Sequence, residues 1–352
     1  MVLTNAYIKL YNVSVNELQY PMWTEDFLFI MKEFKTLDEQ INLLNERGVI
    51  INDITDAKKK LLTNNYYNVI NGYKEPFLKD NINYRDGTTF DEIFALYDFD
   101  RALRDILLKY ILKIENTLKT LIAYYFSMYH GNDNYLKIDS FETFSSINAS
   151  QNKKIERLKY IQELIIDIQK KTSRAMTTKE YVKHYMITYG FVPLWVLINI
   201  FSFGEISKFF ELMKQSEKNA VAKYFNCRED ELMQFIKIMN FYRNLCAHDE
   251  RVYNTVLPKY IYIKDNEYHK ILNIPQNNGM YMQGKNDLFA LIITLKILLD
   301  EDDFRTMYNK IYGRIASLEK HLNVLNIDEI LSIMKFPKEW KKIKSPKSTW
   351  DI

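Results

Sequence analysis

The sequence predicts an all-α protein. Three observations carry that prediction. Glycine (9) and proline (7) are scarce in 352 residues, whereas β-rich folds and Gly-rich cofactor folds need many turn residues. Apolar residues recur at helical spacing over long windows, and capping residues stand where those windows begin.

Taken in order, residues 1–30 show no sustained period and read as an arm or tail. Thr36 caps the helix that follows, since Glu39 stands three residues on and Leu37, Ile41 and Leu44 share a face. Gly48 fits the position just past its end. A second helix over 53–62 leads to a turn at 71–77. Thr88 or Thr89 caps a long helix over about 90–129, with Ile93, Leu96, Leu103, Leu107, Ile114, Leu118 and Ile122 on its stripe. His130-Gly131-Asn132 ends it, and the polar stretch 139–152 reads as a loop. Residues 153–172 form a helix, 173–190 are mixed, and Pro193 opens a helix to Gly204. Short helices follow over 207–214 and 217–224. The helix over 230–247 carries Leu232, Phe235, Met239, Tyr242 and Cys246 as its apolar stripe. Alternation at 259–263 suggests a short β-hairpin. Helices over 286–299 and 304–318 precede a tail with Lys335, Lys338, Lys341, Lys342, Lys344 and Lys347, together with Trp340 and Trp350. Soft boundaries near 80 and 260 divide the chain into an N-terminal helical region, a core and a C-terminal region with the basic tail.

Composition narrows the function. Hydrophobic residues make up 47% and charged residues 26%, enough for a sizeable core. The formal charge is only +3, so local patches must carry any case for nucleic acid. Two cysteines, Cys227 and Cys246, exclude a disulfide framework and a Cys-rich zinc site. The start MVLTNAYIKLYNV lacks the pattern of a secretory leader. The apolar stretches at 193–203 and 288–299 are too short to span a bilayer, and Lys296 interrupts the second. These features predict a cytoplasmic protein with no membrane association. There is no P-loop, GxGxxG, HExxH, CxxC or GxSxG motif. The histidines at 130, 184, 248, 269 and 321 have no metal-ligand spacing. No metal and no cofactor are therefore expected.

One constellation remains: Arg243-Asn244-Leu245-Cys246-Ala247-His248. Cleaving RNA without a metal needs a base for the ribose 2′-OH and an acid for the leaving 5′-oxygen. Histidine suits either role near neutral pH. Charge gathers on the non-bridging oxygens, where an arginine can hold it. On an ideal helix Arg243 and His248 lie about 140° apart and about 7.5 Å along the axis, so they do not share a face. Asn244, His248 and Arg251 do, at i, i+4 and i+7. A long Arg243 side chain can still curl toward a common phosphate, and two copies of the helix meeting across a two-fold would bring Arg and His together from both subunits. Equally, Arg243 serves as an ordinary ion-pairing residue, and His248 suits a helix C-terminus through the dipole. Cys246 sits on the apolar stripe and reads as buried rather than nucleophilic. Asp100, Arg101 and Arg104 read as structural ion pairs. Tyr66, Tyr67 and Tyr73 could stack on bases, though packing is their commoner use.

These residues, with four ordered segments, resemble the Abi family of abortive-infection proteins, of the AbiD/AbiF type. The segments are TLDEQINLLNERG at 36–48, YYNVINGYKEPF at 66–77, LYDFDRALRDILLKYILKIE within 90–115 and PLWVLINIFSFG at 193–204. That family is placed among HEPN ribonucleases, whose signature is Arg, a polar residue, three more residues, then His. Arg243 to His248 matches it without departure. The resemblance implies a HEPN-like helical bundle core, a homodimer that assembles the site, and a toxin-like ribonuclease of phage defence. It also implies control by a partner such as a small structured RNA acting as antitoxin. Arg243 and His248 would be catalytic, with Asn244 orienting the substrate or His248. Glu115 matches the acidic residue that orients the motif arginine in related HEPN proteins, or is a solvated helical carboxylate. Arg251, Lys341 and Lys342 are the RNA-binding candidates, an aromatic such as Trp340 stacking beside the basic tail, though such a tail is more commonly solvated or disordered. The alternative is a non-catalytic HEPN-like module that binds a small RNA or a protein.

Overall fold

The computed structural model describes residues 33–144 and 149–345. The N-terminal arm, Lys347 and Trp350 lie outside the described residues. Thr36 caps α1 (Leu37–Glu46) in a reciprocal capping box with Glu39. Gly48 follows at φ +92°, and the Val49 amide reaches back to the Leu44 carbonyl, the six-to-one bond of a left-handed helix stop. Asp53 caps α2 (Ile54–Asn64).

The long helix α3 (Phe90–His130) is capped by Thr89. Its 41 residues extend about 60 Å. Its buried stripe is the predicted one, and α9 (Glu229–Ala247), α8 (Gln215–Tyr224) and α12 (Glu301–Glu319) pack along it. Glu92, in the first turn of α3, is 1% exposed. One of its carboxylate oxygens accepts the backbone N–H groups of Asn323, Val324 and Leu325 at 2.9, 2.9 and 3.1 Å. These bonds fasten the loop after α12 to the start of α3.

Several elements depart from the predicted ones. α4 runs over Gln151–Thr178, and the stretch read as mixed forms α5 (Glu180–Tyr189), which folds back on α4. The predicted helix over 193–204 breaks. α6 (Leu194–Leu197) ends in a 3-10 turn, and Ser202 opens α7 (Phe203–Leu212) with its own capping box to Glu205. That second cap stops the first helix, because Phe201 and Ser202 must be extended for it. Residues 259–263 form no strand. The hairpin is instead β1 (Gln276–Asn277) with β2 (Met280–Tyr281), joined by Asn278-Gly279 with both φ angles positive, the geometry an Asn-Gly turn favours. The short helices α10 (Glu267–Ile271) and α13 (Ile327–Ile333) were not predicted.

α11 (Leu288–Leu298) is buried nearly all round, as a helix apolar on every side must be. Even Lys296 is fully buried, its ammonium bonded to Glu301 and set 4.7 Å from the Phe304 ring centre. One cluster of buried side chains runs from Ile41 to Ile343 and takes in residues from all three predicted regions. No helix among the described residues is long and apolar enough to cross a membrane.

Gly284 fixes how the segment before α11 enters. Its φ is +74°, and a Cβ there would lie 2.9 Å from Ile293 Cδ1. Its amide donates to Asp287 and its carbonyl accepts from His269 Nε2 at 2.9 Å. Gly284→Ala is expected to lower stability by about 2–4 kcal/mol, from left-handed strain plus overpacking. Chemical denaturation measures it, and a loss under about 0.5 kcal/mol would mean that Ile293 yields freely.

Candidate active site

α9 begins with Glu229, Asp230 and Glu231, which suit the positive end of the helix dipole. Leu232, Phe235, Ile236, Met239 and Tyr242 then bury its inner stripe. The helix ends where the motif ends. His248 is the C-cap at φ −102°, and Asp249 turns left-handed at φ +59°. The Glu250 amide returns to the Leu245 carbonyl at 2.9 Å. Aspartate is among the few non-glycine residues that tolerate this conformation.

The chain beyond is held from beneath by two buried charges of α3. Arg104, 3% exposed, bonds Asp249 through one nitrogen and Asp100 through the other. Asp100, fully buried, accepts from Tyr73 Oη at 2.7 Å, Arg104 at 2.9 Å, and the amides of Val252 and Tyr253 at 3.2 and 2.9 Å. Burial pushes the Asp100 carboxyl up, and these four donors work against that push. Tyr73 stacks on Tyr253 with ring centres 5.5 Å apart, so its use here is packing. The expected ion pair of Asp100 and Arg104 is therefore present, while Arg101 is exposed.

This anchoring corrects one expectation. Asn244, His248 and Arg251 do not share a helical face, because the helix stops at Ala247. Asp100 draws the next turn inward by its amides, and Arg251 folds away to donate to the Gly72 carbonyl at 2.7 Å. Asn244 and His248 remain exposed at the end of α9.

Arg243 and Glu115 are brought together. Arg243 Nε lies 3.7 Å from Glu115 Oε2, and Lys119 bonds the other carboxylate oxygen at 2.8 Å. Glu115 is 5% exposed, so it is not a solvated helical carboxylate. The contact is an ion pair longer than a hydrogen bond, and both Arg243 Nε and Glu115 Oε2 are buried without a hydrogen-bond partner. Such atoms are uncommon in folded proteins and ask for an explanation. Cys246, 9% exposed, has its thiol pushed up to about 12 by burial, which leaves it inert at neutral pH.

Lys341 and Lys342 are not drawn into this cluster. Both lie in the turn Trp340–Lys344. Lys341 sits 5.6 Å from the Tyr312 ring centre, and Lys342 pairs with Glu339. Trp340 is buried against Tyr308, Tyr312 and Phe336 and has no face free for a base. Lys119 and Asp249 are the participants sequence reasoning missed. Lys119 stands four residues after Glu115, a spacing at which opposite charges pair on a helix. Asp249 follows directly on the motif.

The Abi-like protein family matches residues 59–254. That is more than half of the chain, and it takes in α3, α9 and the segment from Arg243 to His248. No curated protein and no solved structure matches the chain. With the family matched across both helices that build this cluster, the chain belongs to the Abi-like protein family, the abortive-infection proteins its motifs resemble.

Proposed function

We propose that this protein is a HEPN-type endoribonuclease of phage defence, which cleaves RNA by attack of a ribose 2′-OH and needs no metal. One observation carries the reading. Arg243 is tethered to the buried Glu115, on the same helix end that exposes His248. A buried carboxylate set against Arg243 Nε aims the guanidinium and leaves its terminal nitrogens for a phosphate. The imidazole takes the 2′-OH proton, the 2′-oxygen attacks phosphorus, and the bond to O5′ breaks as that oxygen receives a proton. The products are a 2′,3′-cyclic phosphate and a 5′-OH.

One motif histidine cannot be base and acid in the same step. A homodimer in which two α9 ends meet supplies the second histidine and a second arginine. Asn244 would orient the substrate or the imidazole. A small structured RNA or a protein would hold the enzyme inactive until infection, in the manner of an antitoxin.

Purified protein incubated with single-stranded RNA in EDTA is expected to yield fragments ending in 2′,3′-cyclic phosphate. RNA that is bound but never cut would favour the non-catalytic binding module instead. Glu115 acts through Arg243, so it is a positioning residue. Glu115→Gln is expected to slow cleavage by about 10²-fold through a misplaced clamp. RNA affinity measured in the same preparation should hardly change, and unchanged cleavage would remove Glu115 from the site.

A further inference from the structure

One helical hairpin is strongly basic. Residues 151–190, which form α4 and α5, hold nine Lys and Arg against four Asp and Glu. That balance of +5 exceeds the +3 of the whole chain, so the rest is net acidic. The acids of the hairpin are mostly engaged. Glu163 and Asp167 face Lys208 of α7, and Glu180 faces Lys183. Lys159, Lys170 and Arg174 are exposed and form no ion pair among the described residues.

These three cations line up. Ile161, Leu164, Ile165, Ile168 and Ala175 form the buried face of α4. At 100° per residue, Lys159, Lys170 and Arg174 fall on the opposite face and span about 22 Å of helix. One end of α4 lies near α9. Lys171, beside its Arg174 end, pairs with Glu205 in the first turn of α7. Next to Glu205, a Cβ on Gly204 would lie 3.8 Å from the Asn240 side chain. Asn240 precedes Asn244 by one turn of α9 and His248 by about two. Exposed Tyr181 and Tyr189 on α5 offer faces on which bases can stack.

We infer that α4 is an RNA-gripping arm, which holds the phosphates of a single strand along Lys159, Lys170 and Arg174 and leads that strand toward His248. This rests on the ribonuclease reading of the same site. Charge complementarity selects the occupant, because a polyanion with regularly spaced charges matches a long stripe of unpaired cations.

The test uses the full chain carrying His248→Ala, so that bound RNA stays intact. Fluorescence anisotropy follows a labelled single-stranded RNA of about 20 nucleotides across a salt series. Adding Lys159→Gln, Lys170→Gln and Arg174→Gln together is expected to weaken binding about fiftyfold at 0.15 M salt and to reduce the salt slope by about 2. Should the triple variant melt lower than its parent, Lys170→Gln alone is expected to cost about fourfold. Equal binding by parent and variants would overturn the arm and leave the ribonuclease reading standing. Failure of the parent to bind RNA even at low salt would overturn both. Binding of phosphatidylserine vesicles in preference to RNA would make the stripe a membrane face and overturn the arm.

Discussion

His248→Ala is expected to slow RNA cleavage by about 10²- to 10⁴-fold, the usual contribution of a positioned general acid or base. Folding should be untouched. The side chain is exposed, and the helix stop is made by backbone bonds and by the left-handed Asp249, not by the imidazole. Expression in cells gives the matching readout: wild type is expected to arrest growth, and His248→Ala is not. Equal arrest by both would sink the catalytic reading, since no other histidine lies in the motif. Arg243→Ala makes a useful companion. It should lose cleavage and also leave the buried Glu115 carboxylate with Lys119 alone, so a lower melting temperature is expected for it and not for His248→Ala.

Asp100→Ala is expected to cost about 3–5 kcal/mol of stability, because it leaves Arg104 as a buried charge without its main partner. Two amides and a tyrosine hydroxyl lose their acceptor at the same time. Denaturant titration measures the loss, and a double-mutant cycle with Arg104→Met isolates the pair. The double variant should recover part of the stability, since removing both charges is milder than removing one. A single-variant loss below about 1 kcal/mol would mean that water reaches the site. Activity should fall even where the protein stays folded, because the chain that follows His248 is held by Asp100.

The helices were legible wherever local signals agree. Thr36 with Glu39, Thr89 before the stripe of α3, and the six-residue motif at the end of α9 each combine a cap or a motif with an apolar period. Errors fell where two local signals compete. Residues 193–204 are apolar enough for one helix, yet Ser202 and Glu205 start another. Residues 259–263 alternate as a strand would, while the hairpin turned on Asn278-Gly279. The candidate site was half legible. Arg243, Asn244 and His248 stand together in sequence, whereas the contact of Arg243 with Glu115 joins two helices and appears only in the fold. The fate of Arg251 does not follow, since a left-handed residue at Asp249 and a carboxylate more than 150 positions away decide it. Trp340 looks like a stacking residue in a basic tail, and only tertiary packing reveals it as core.

The clamp on Glu92 has a consequence for how the chain is made. Its three amide donors come from residues 323–325, more than two hundred positions downstream. A ribosome releases α3 and α9 long before it releases that loop. Until then the Glu92 carboxylate must stay hydrated, since burying it without donors would cost several kcal/mol. The N-terminal turn of α3 therefore remains open on the nascent chain until those residues arrive. Synthesis of residues 323–325 closes the packing around the first turn of the helix that carries Glu115, Asp100 and Arg104. The first turn of α3 is thus finished only after residues 323–325 have been made.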